Sequence, residues 1–166
     1  MTLIGYHGTT KSAYNGIRMR GFQHCRTGWF GVGAYFYKDS EALAIDWAYS
    51  KHLFSLKKVS IKVEVNVEDA KIFDLRNPGS DDSNFFHEYR KEIIEKIKQG
   101  NIRYNFGDEK KFDNLIIEMI KKEETKEVVI ANSFTYDDSF PSRVPNGTEI
   151  CVSNNQLIRI IGHKAI

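Results

Sequence analysis

The stretch Val59-Ser60-Ile61-Lys62-Val63-Glu64-Val65-Asn66-Val67 alternates aliphatic and polar residues without a break. Successive side chains of a β-strand point to opposite faces, so this period of two predicts a strand with one buried face. Outward from it, shorter apolar or aromatic runs predict further strands, the first of which is stopped by His7-Gly8-Thr9. These strands are predicted at about residues 3–6, 34–37, 71–75, 128–130, 150–152 and 157–161.

Segments with helical signals separate these strands. Thr9 or Thr10 offers an N-cap for a short helix that Gly21 ends, and Asp39-Ser40 caps a second helix over about residues 40–53. Two more helices are predicted by apolar residues at helical spacing, namely Phe86, Tyr89, Ile93 and Ile97, and then Phe112, Leu115, Ile116, Met119 and Ile120. We treat this pair as a helical insertion at about 84–124 and expect its charged faces to be solvated. Together the elements predict an α+β class, in one domain that spans residues 1–166.

The composition excludes several classes of protein. The chain has 166 residues, 41% of them hydrophobic and 13% aromatic, which suits one folded domain. No apolar run approaches the ~18 residues of a membrane span. Two cysteines, Cys25 and Cys151, are too few for a disulfide framework, and a net charge of +2 is too small for a strongly cationic chromatin-type binder. We therefore expect a reduced, cytoplasmic protein without a membrane partner.

Three clusters place polar or glycine-rich groups at the edges of predicted strands. They are Tyr6-His7-Gly8-Thr9, Gly31-Val32-Gly33-Ala34-Tyr35-Phe36 and Asn146-Gly147-Thr148-Glu149-Ile150-Cys151-Val152. Strand edges and loops are where backbone and side chain can both meet a ligand. Taken singly, each cluster is as well explained by a turn or a solvated strand edge.

The order of the three clusters resembles the ADP-ribosyltransferase superfamily. The resemblance is to the branch with a His-Tyr-Glu triad, shared by poly(ADP-ribose) polymerases and diphtheria-type toxins. Gly33-Ala34-Tyr35-Phe36 followed by Ala44-Ile45-Asp46-Trp47-Ala48 looks especially like small bacterial members of that branch. The resemblance implies a split antiparallel β-sheet core around an NAD cleft, with NAD as a substrate, no metal, and a macromolecular acceptor, either protein or nucleic acid.

The resemblance also implies roles for the triad His7, Tyr35 and Glu149. Glu149 would stabilise the positive charge that builds on the ribose as nicotinamide leaves, and would orient or deprotonate the acceptor. His7 would bind the ribose hydroxyls, and the backbone of Gly8 would pair with the nicotinamide carboxamide. Tyr35 would stack on the nicotinamide ring.

Other contacts with NAD follow from the same resemblance. Thr9 stands where the family has a residue that binds a ribose hydroxyl, and Phe36 follows Tyr35 within the motif. A second aromatic ring normally sandwiches the nicotinamide; Trp47 is our first candidate, and Tyr37 or Tyr49 could substitute for it.

The pyrophosphate and the acceptor need further groups. The pyrophosphate needs at least one cation, for which we favour Arg26 over Arg18 and Arg20. The segment 132–146, which carries Asp137, Asp138 and Arg143, precedes Glu149 and is expected to meet the acceptor. Arginine-specific toxins carry Glu or Gln two residues before the catalytic Glu; here that residue is Gly147, which disfavours arginine as the acceptor. The pairs Lys57-Lys58 and Lys110-Lys111 are weak evidence for nucleic-acid binding.

The sequence thus favours a mono-ADP-ribosyltransferase that modifies a protein or a nucleic acid once and releases nicotinamide. A bacterial toxin or phage-defence effector is a natural setting for it, with an antitoxin or inhibitor protein as a possible partner. Two alternatives stay open: an NAD glycohydrolase on the same fold, and a non-catalytic module that binds NAD or ADP-ribose. An RNA 2′-phosphotransferase is disfavoured, because it needs an Arg/His phosphate constellation that we do not find.

Overall fold

A computed structural model describes residues 1–104, 109–134 and 142–166. The described strands are β1 (Thr2–Thr10), β2 (Ala34–Lys38), β3 (Lys58–Asn66), β4 (Ile72–Asp74), β5 (Val128–Ser133), β6 (Gly147–Val152) and β7 (Ile158–Ala165). The described helices are α1 (Lys11–Arg20), α2 (Glu41–Lys51), α3 (Asp81–Lys98) and α4 (Glu109–Glu123). Within these ranges the strands form one sheet in the order β4-β5-β6-β2-β1-β3-β7.

The predicted α+β class is confirmed, but the sheet is mixed rather than antiparallel throughout. β4 and β5 pair in parallel, with Ile72 opposite Val128. Parallel neighbours need a long crossover connection, and here the chain between them contains α3 and α4. The remaining strand pairs are antiparallel.

The first strand is longer than the sequence predicts. A stop at His7-Gly8-Thr9 is wrong, because β1 continues to Thr10 before α1 begins. The reason is its partner: β3 pairs with β1 along its full length, from Thr2 opposite Asn66 to Thr10 opposite Lys58. The three residues that interrupt the apolar pattern therefore lie in a strand rather than in a turn.

The predicted starts of the helices agree more closely with the structure. The Thr10 hydroxyl accepts a hydrogen bond from the Ala13 amide at 3.1 Å and caps α1, which Gly21 ends as expected. Ser40 caps α2, although this helix ends at Lys51 rather than at residue 53. The helical insertion begins at residue 81 rather than 84, because Ser80 caps α3.

Each face of the sheet carries its own core. Phe36, Ile61 and Ile150 are buried on one face, together with residues of α1. Phe73 and Val129 are buried on the other face, against α3 and α4. The expectation that β3 buries a single face is wrong for its first half, where Ser60 is buried as well. No helix among the described residues is long and apolar enough to cross a membrane.

Candidate active site

The sheet opens between β1 and β2. β1 pairs with β2 only at Gly5 and Tyr6, whereas it pairs with β3 from end to end. The Asp39 amide donates to the Ile4 carbonyl at 3.1 Å, so the backbone groups of Ile4 face β2. Backbone groups alternate sides along a strand, and those of Gly8 therefore face β2 as well. The ladder has ended there, and the Gly8 amide and carbonyl point into an opening that we call the β1–β2 gap.

The imidazole of His7 spans this gap. Its Nδ1 lies 3.0 Å from the carbonyl oxygen of Tyr35 on β2. Because a carbonyl only accepts hydrogen bonds, Nδ1 carries the proton and Nε2 keeps a lone pair. Burial lowers the pKa of His7, and the nearby His52 lowers it further, against the opposing effect of the Tyr35 carbonyl. A neutral imidazole whose Nε2 accepts hydrogen bonds is suited to a ligand hydroxyl.

Two aromatic rings hold the imidazole in place. Phe22 and Phe36 pack edge-on against His7, with ring centres 5.4 and 6.0 Å away. Phe36 is only 1% exposed, so its place is in the core behind His7 rather than on a ligand surface. Phe36 therefore supports the His7 ring from the core and does not contact a ligand.

The lowered pKa of His7 leads to a pH-dependent stability. Because this pKa is lower in the folded chain than in the unfolded chain, protonation favours unfolding. The contribution of His7 is therefore present above about pH 6.5, the ordinary histidine value, and is lost as the pH falls through the folded-state pKa. We expect His7→Gln to reduce the loss of unfolding free energy between pH 7.5 and 5.5, measured by urea denaturation. His24→Gln, at an exposed position, is the control; equal pH dependence in all three proteins contradicts the assignment.

Glu149 lies one strand beyond the gap. It stands opposite Tyr37 on β2, which in turn stands opposite Tyr6 on β1. With strands about 4.8 Å apart, the Cα atom of Glu149 lies about 10 Å from that of Tyr6. Since side chains alternate, Glu149 projects from the face of the sheet that buries Cys151 against α3 and α4, and His7 projects from the face that buries Ile61. The side chains of His7 and Glu149 therefore lie on opposite faces of the sheet, on either side of the gap.

A buried hydroxyl orients the glutamate. The Ser133 hydroxyl, on β5, donates to Glu149 Oε1 at 2.7 Å, and Ser133 is 2% exposed. A hydrogen bond to a charged group is stronger than one between neutral groups, and a buried donor has little freedom to move. Sequence analysis missed Ser133, because nothing in its local sequence indicates that β5 lies beside β6.

Removal of this hydroxyl is expected to slow turnover without weakening substrate binding. For Ser133→Ala we expect kcat to fall about 10-fold, with KM changed less than about 2-fold, because the carboxylate loses its orientation. Ser133→Thr keeps a hydroxyl and should recover most of the rate. Ser83→Ala removes a buried hydroxyl on α3 and is the control. Equal losses in the Ala and Thr variants would indicate a packing defect instead.

Tyr35 has a structural role that the sequence did not indicate. Its hydroxyl donates to the Gly31 carbonyl at 2.7 Å and accepts from the Phe30 amide at 2.9 Å. A Cβ on Gly28 would lie 2.0 Å from the same hydroxyl oxygen, so only glycine fits there. Burial raises the pKa of Tyr35. The hydroxyl therefore fixes the loop before β2, and stacking of the ring on nicotinamide stays a prediction.

Two candidates for the second aromatic ring lie near Glu149, and only Trp47 is open to solvent. Trp47 on α2 is 37% exposed, with Lys51 Nζ 4.8 Å from its ring centre. One turn earlier, Leu43 reaches β6, where a Cβ on Gly147 would lie 2.3 Å from its Cδ1 atom. Trp47 therefore lies on the edge of α2 that faces the strand of Glu149. Tyr37 is 7% exposed and stands beside Glu149 by register.

The remaining predicted contacts are less closely tied to the gap. Thr9 is buried in β1, two residues after His7 and on the same face. Arg26 is exposed in the turn closed by the Cys25–Gly33 bridge. Arg18 and Arg20 are exposed in the last turn of α1. Arg143 is exposed, whereas Asp137 and Asp138 lie outside the described residues.

The helical insertion braces the loop that precedes β2. Glu118 Oε1 accepts from the Val32 amide at 2.7 Å, and Lys121 Nζ donates to the Val32 carbonyl at 2.9 Å. Asn114 donates to the Gly28 carbonyl at 2.7 Å. Lys121 is 7% exposed, so the expectation of a fully solvated helix face is wrong here. α4 thus belongs to the architecture of the gap.

Comparisons with known proteins add no family to this description. No protein-family model matches the chain, and no curated protein is significantly similar to it. Among the described residues, no group of three or more His, Cys, Asp or Glu side chains could hold a metal ion. Three features point to a function: the β1–β2 gap, the side chains of His7 and Glu149, and the order of the three sequence clusters.

Proposed function

We propose that the chain is an NAD-dependent mono-ADP-ribosyltransferase, which moves ADP-ribose from NAD to a macromolecular acceptor and releases nicotinamide. The observation that carries this proposal is the β1–β2 gap, into which the Gly8 backbone points and which His7 spans. Glu149 stands in register beside it. The sheet that opens between β1 and β2 also supports an ADP-ribosyltransferase-like fold as part of the proposal.

The groups in the gap match the non-reacting parts of NAD. A primary carboxamide presents one acceptor and one donor side by side, and the Gly8 amide and carbonyl offer the complementary pair. Nε2 of His7 is an acceptor for a ribose hydroxyl. Tyr35 and either Trp47 or Tyr37 supply aromatic faces for a flat ring, a contact worth roughly 0.5–1.5 kcal/mol beyond burial.

Glu149 performs the chemistry in this proposal. The bond that breaks joins the ribose anomeric carbon to the pyridinium nitrogen, and its electron pair leaves with nicotinamide. The carboxylate stabilises the positive charge that develops on the sugar. A lone pair of the acceptor then forms the new bond to the same carbon, and Glu149 takes up the acceptor's proton. Ser133 holds the carboxylate in position throughout.

The biological role that we propose follows from the harm that uncontrolled NAD consumption does to a cell. An enzyme that modifies macromolecules at the expense of NAD is harmful to a cell unless it is controlled. We therefore place the chain among cytoplasmic bacterial toxins or phage-defence effectors, with an antitoxin or inhibitor protein as a partner.

The test uses NAD labelled in its adenylate phosphate, incubated with the purified protein and a cell extract. We expect nicotinamide release together with label on a macromolecule. Free ADP-ribose with no labelled macromolecule would assign the chain as a glycohydrolase. Absence of both nicotinamide release and label transfer overturns the proposed function, and tight NAD binding without turnover would indicate a binding module.

A further inference from the structure

Basic residues lie together at the end of the sheet where β1 ends and α1 begins. The Lys11 amide donates to the Lys57 carbonyl at 2.9 Å, so the loop after α2 is joined to the start of α1. Lys164 on β7 stands opposite Ser60, which itself stands opposite Gly8. Lys11, Lys57 and Lys164 are all exposed. Residues that are far apart in sequence thus make one basic end beside the gap.

Exposed aromatic rings lie on α2 and in the loop that follows it. The ammonium of Lys51 is 4.8 Å from the ring centre of Trp47, and that of Lys58 is 4.7 Å from the ring centre of Tyr49. Tyr49 is 49% exposed, and Phe54 is fully exposed at the tip of the following loop. We call the set Tyr49, Phe54 and Lys57, with Lys11 and Lys164, the lysine–aromatic surface; Trp47 and Lys51 lie on the opposite side of α2 from Tyr49.

The charge of this surface is unlike that of the whole chain. The net charge is only +2, yet this surface brings together the exposed Lys11, Lys57 and Lys164. The acidic residues of α2 are Glu41 and Asp46. The surface also adjoins the gap directly, because α2 packs on Gly8. A Cβ at Gly8 would lie 1.7 Å from the Ala44 carbonyl oxygen and 2.9 Å from the Ala48 Cβ atom. The surface therefore borders the strand that carries His7 and Gly8.

We propose that the lysine–aromatic surface binds single-stranded nucleic acid and that such a strand is the acceptor. This inference rests on the proposed function and names the acceptor class for it. Ammonium groups beside exposed rings match a strand in which phosphates and unpaired bases alternate. A duplex offers the same phosphates but no free base faces, so the exposed ring of Phe54 favours a single strand. An acidic protein surface would match the lysines, but it does not present a flat group beside each anionic group as a single strand does.

The test is fluorescence anisotropy with fluorescein-labelled 16-nucleotide RNA and DNA of mixed sequence, without NAD. We expect Lys57→Gln/Lys164→Gln to weaken binding at least about 10-fold and to reduce the slope of log K against log salt by about 1.4. The control pair Lys91→Gln/Lys122→Gln removes the same charge from exposed positions on α3 and α4. Phe54→Ser is expected to weaken binding about 5–150-fold. Met19→Ser, at a residue that is 81% exposed on α1, is the matched control.

Three outcomes overturn the inference: no binding of either strand, equal binding by surface and control variants, or equal affinity for duplex and single strands. A combination of two results would also overturn it in favour of an acidic protein acceptor. Poly-glutamate of equal charge would displace the strand, and only protease would remove the ADP-ribosyl label from the macromolecules of the cell extract. Because the assay needs no NAD, its failure is distinguishable from failure of the proposed function. Nicotinamide release without strand binding leaves the proposed function standing. Strand binding without NAD turnover leaves the binding surface standing but rejects the enzyme, and with it the role of the strand as acceptor.

Discussion

Glu149→Gln is expected to lower the rate of nicotinamide release at least about 100-fold while the Kd for NAD stays within about 2-fold. The amide keeps the size of the side chain and can still accept from Ser133, whose hydroxyl lies 2.7 Å from Oε1. It cannot supply the negative charge that stabilises the developing cation on the sugar. An interaction made only in the transition state appears in kcat rather than in ground-state binding.

The measurement pairs calorimetric titration of NAD with chromatographic detection of released nicotinamide. Glu124→Gln removes the same charge from an exposed position after α4 and should behave as the wild type. A Glu149→Gln protein that turns over at the wild-type rate would show that another group carries the chemistry. Loss of NAD affinity in this variant would place the carboxylate in substrate binding instead.

Gly8→Ala is expected to destabilise the fold by about 3 kcal/mol or more. The added methyl would lie 1.7 Å from the Ala44 carbonyl oxygen, far inside contact distance. That oxygen belongs to the backbone of α2 and cannot rotate away, so the helix must move off the sheet. Gly8 is therefore required by helix packing, in addition to any role that its backbone has towards a ligand.

Urea denaturation measures this effect. Gly162→Ala on β7 is the matched control, because its methyl would meet only the Lys62 Cβ atom at 3.9 Å. We expect that variant to change the free energy of unfolding by less than about 1 kcal/mol. Equal stability of the two variants would mean that α2 does not pack on β1 as described.

Local signals were enough to predict the helices and strand β3. Ser40 and Thr10 cap α2 and α1 because their hydroxyls meet orphan amides a few residues away, a requirement that is visible in sequence. The extension of β1 through Gly8 could not be predicted, because its hydrogen-bond partners come from the distant strand β3. Hydrogen bonds to a partner strand can therefore extend a strand beyond the residues whose apolar pattern predicts it.

Only part of the candidate site could be predicted from the sequence. His7 and Glu149 were recognisable by their motifs, but the partners that orient them come from other strands: the Tyr35 carbonyl and the Ser133 hydroxyl. Strand order decides such contacts, and periodicity carries no information about it. Charged helix residues usually face solvent, so the sequence predicts an exposed Lys121, yet its ammonium donates to the Val32 carbonyl in a buried position.

The most direct test of NAD binding in the β1–β2 gap is the amide resonance of Gly8. The chain contains a single His-Gly pair, His7-Gly8, so labelling with carbonyl-¹³C histidine and ¹⁵N glycine isolates this one resonance. Titration with NAD, and with nicotinamide alone, should shift it, because both carry the carboxamide that the Gly8 backbone is proposed to bind. A Gly8 amide that does not move at saturating NAD would contradict the account.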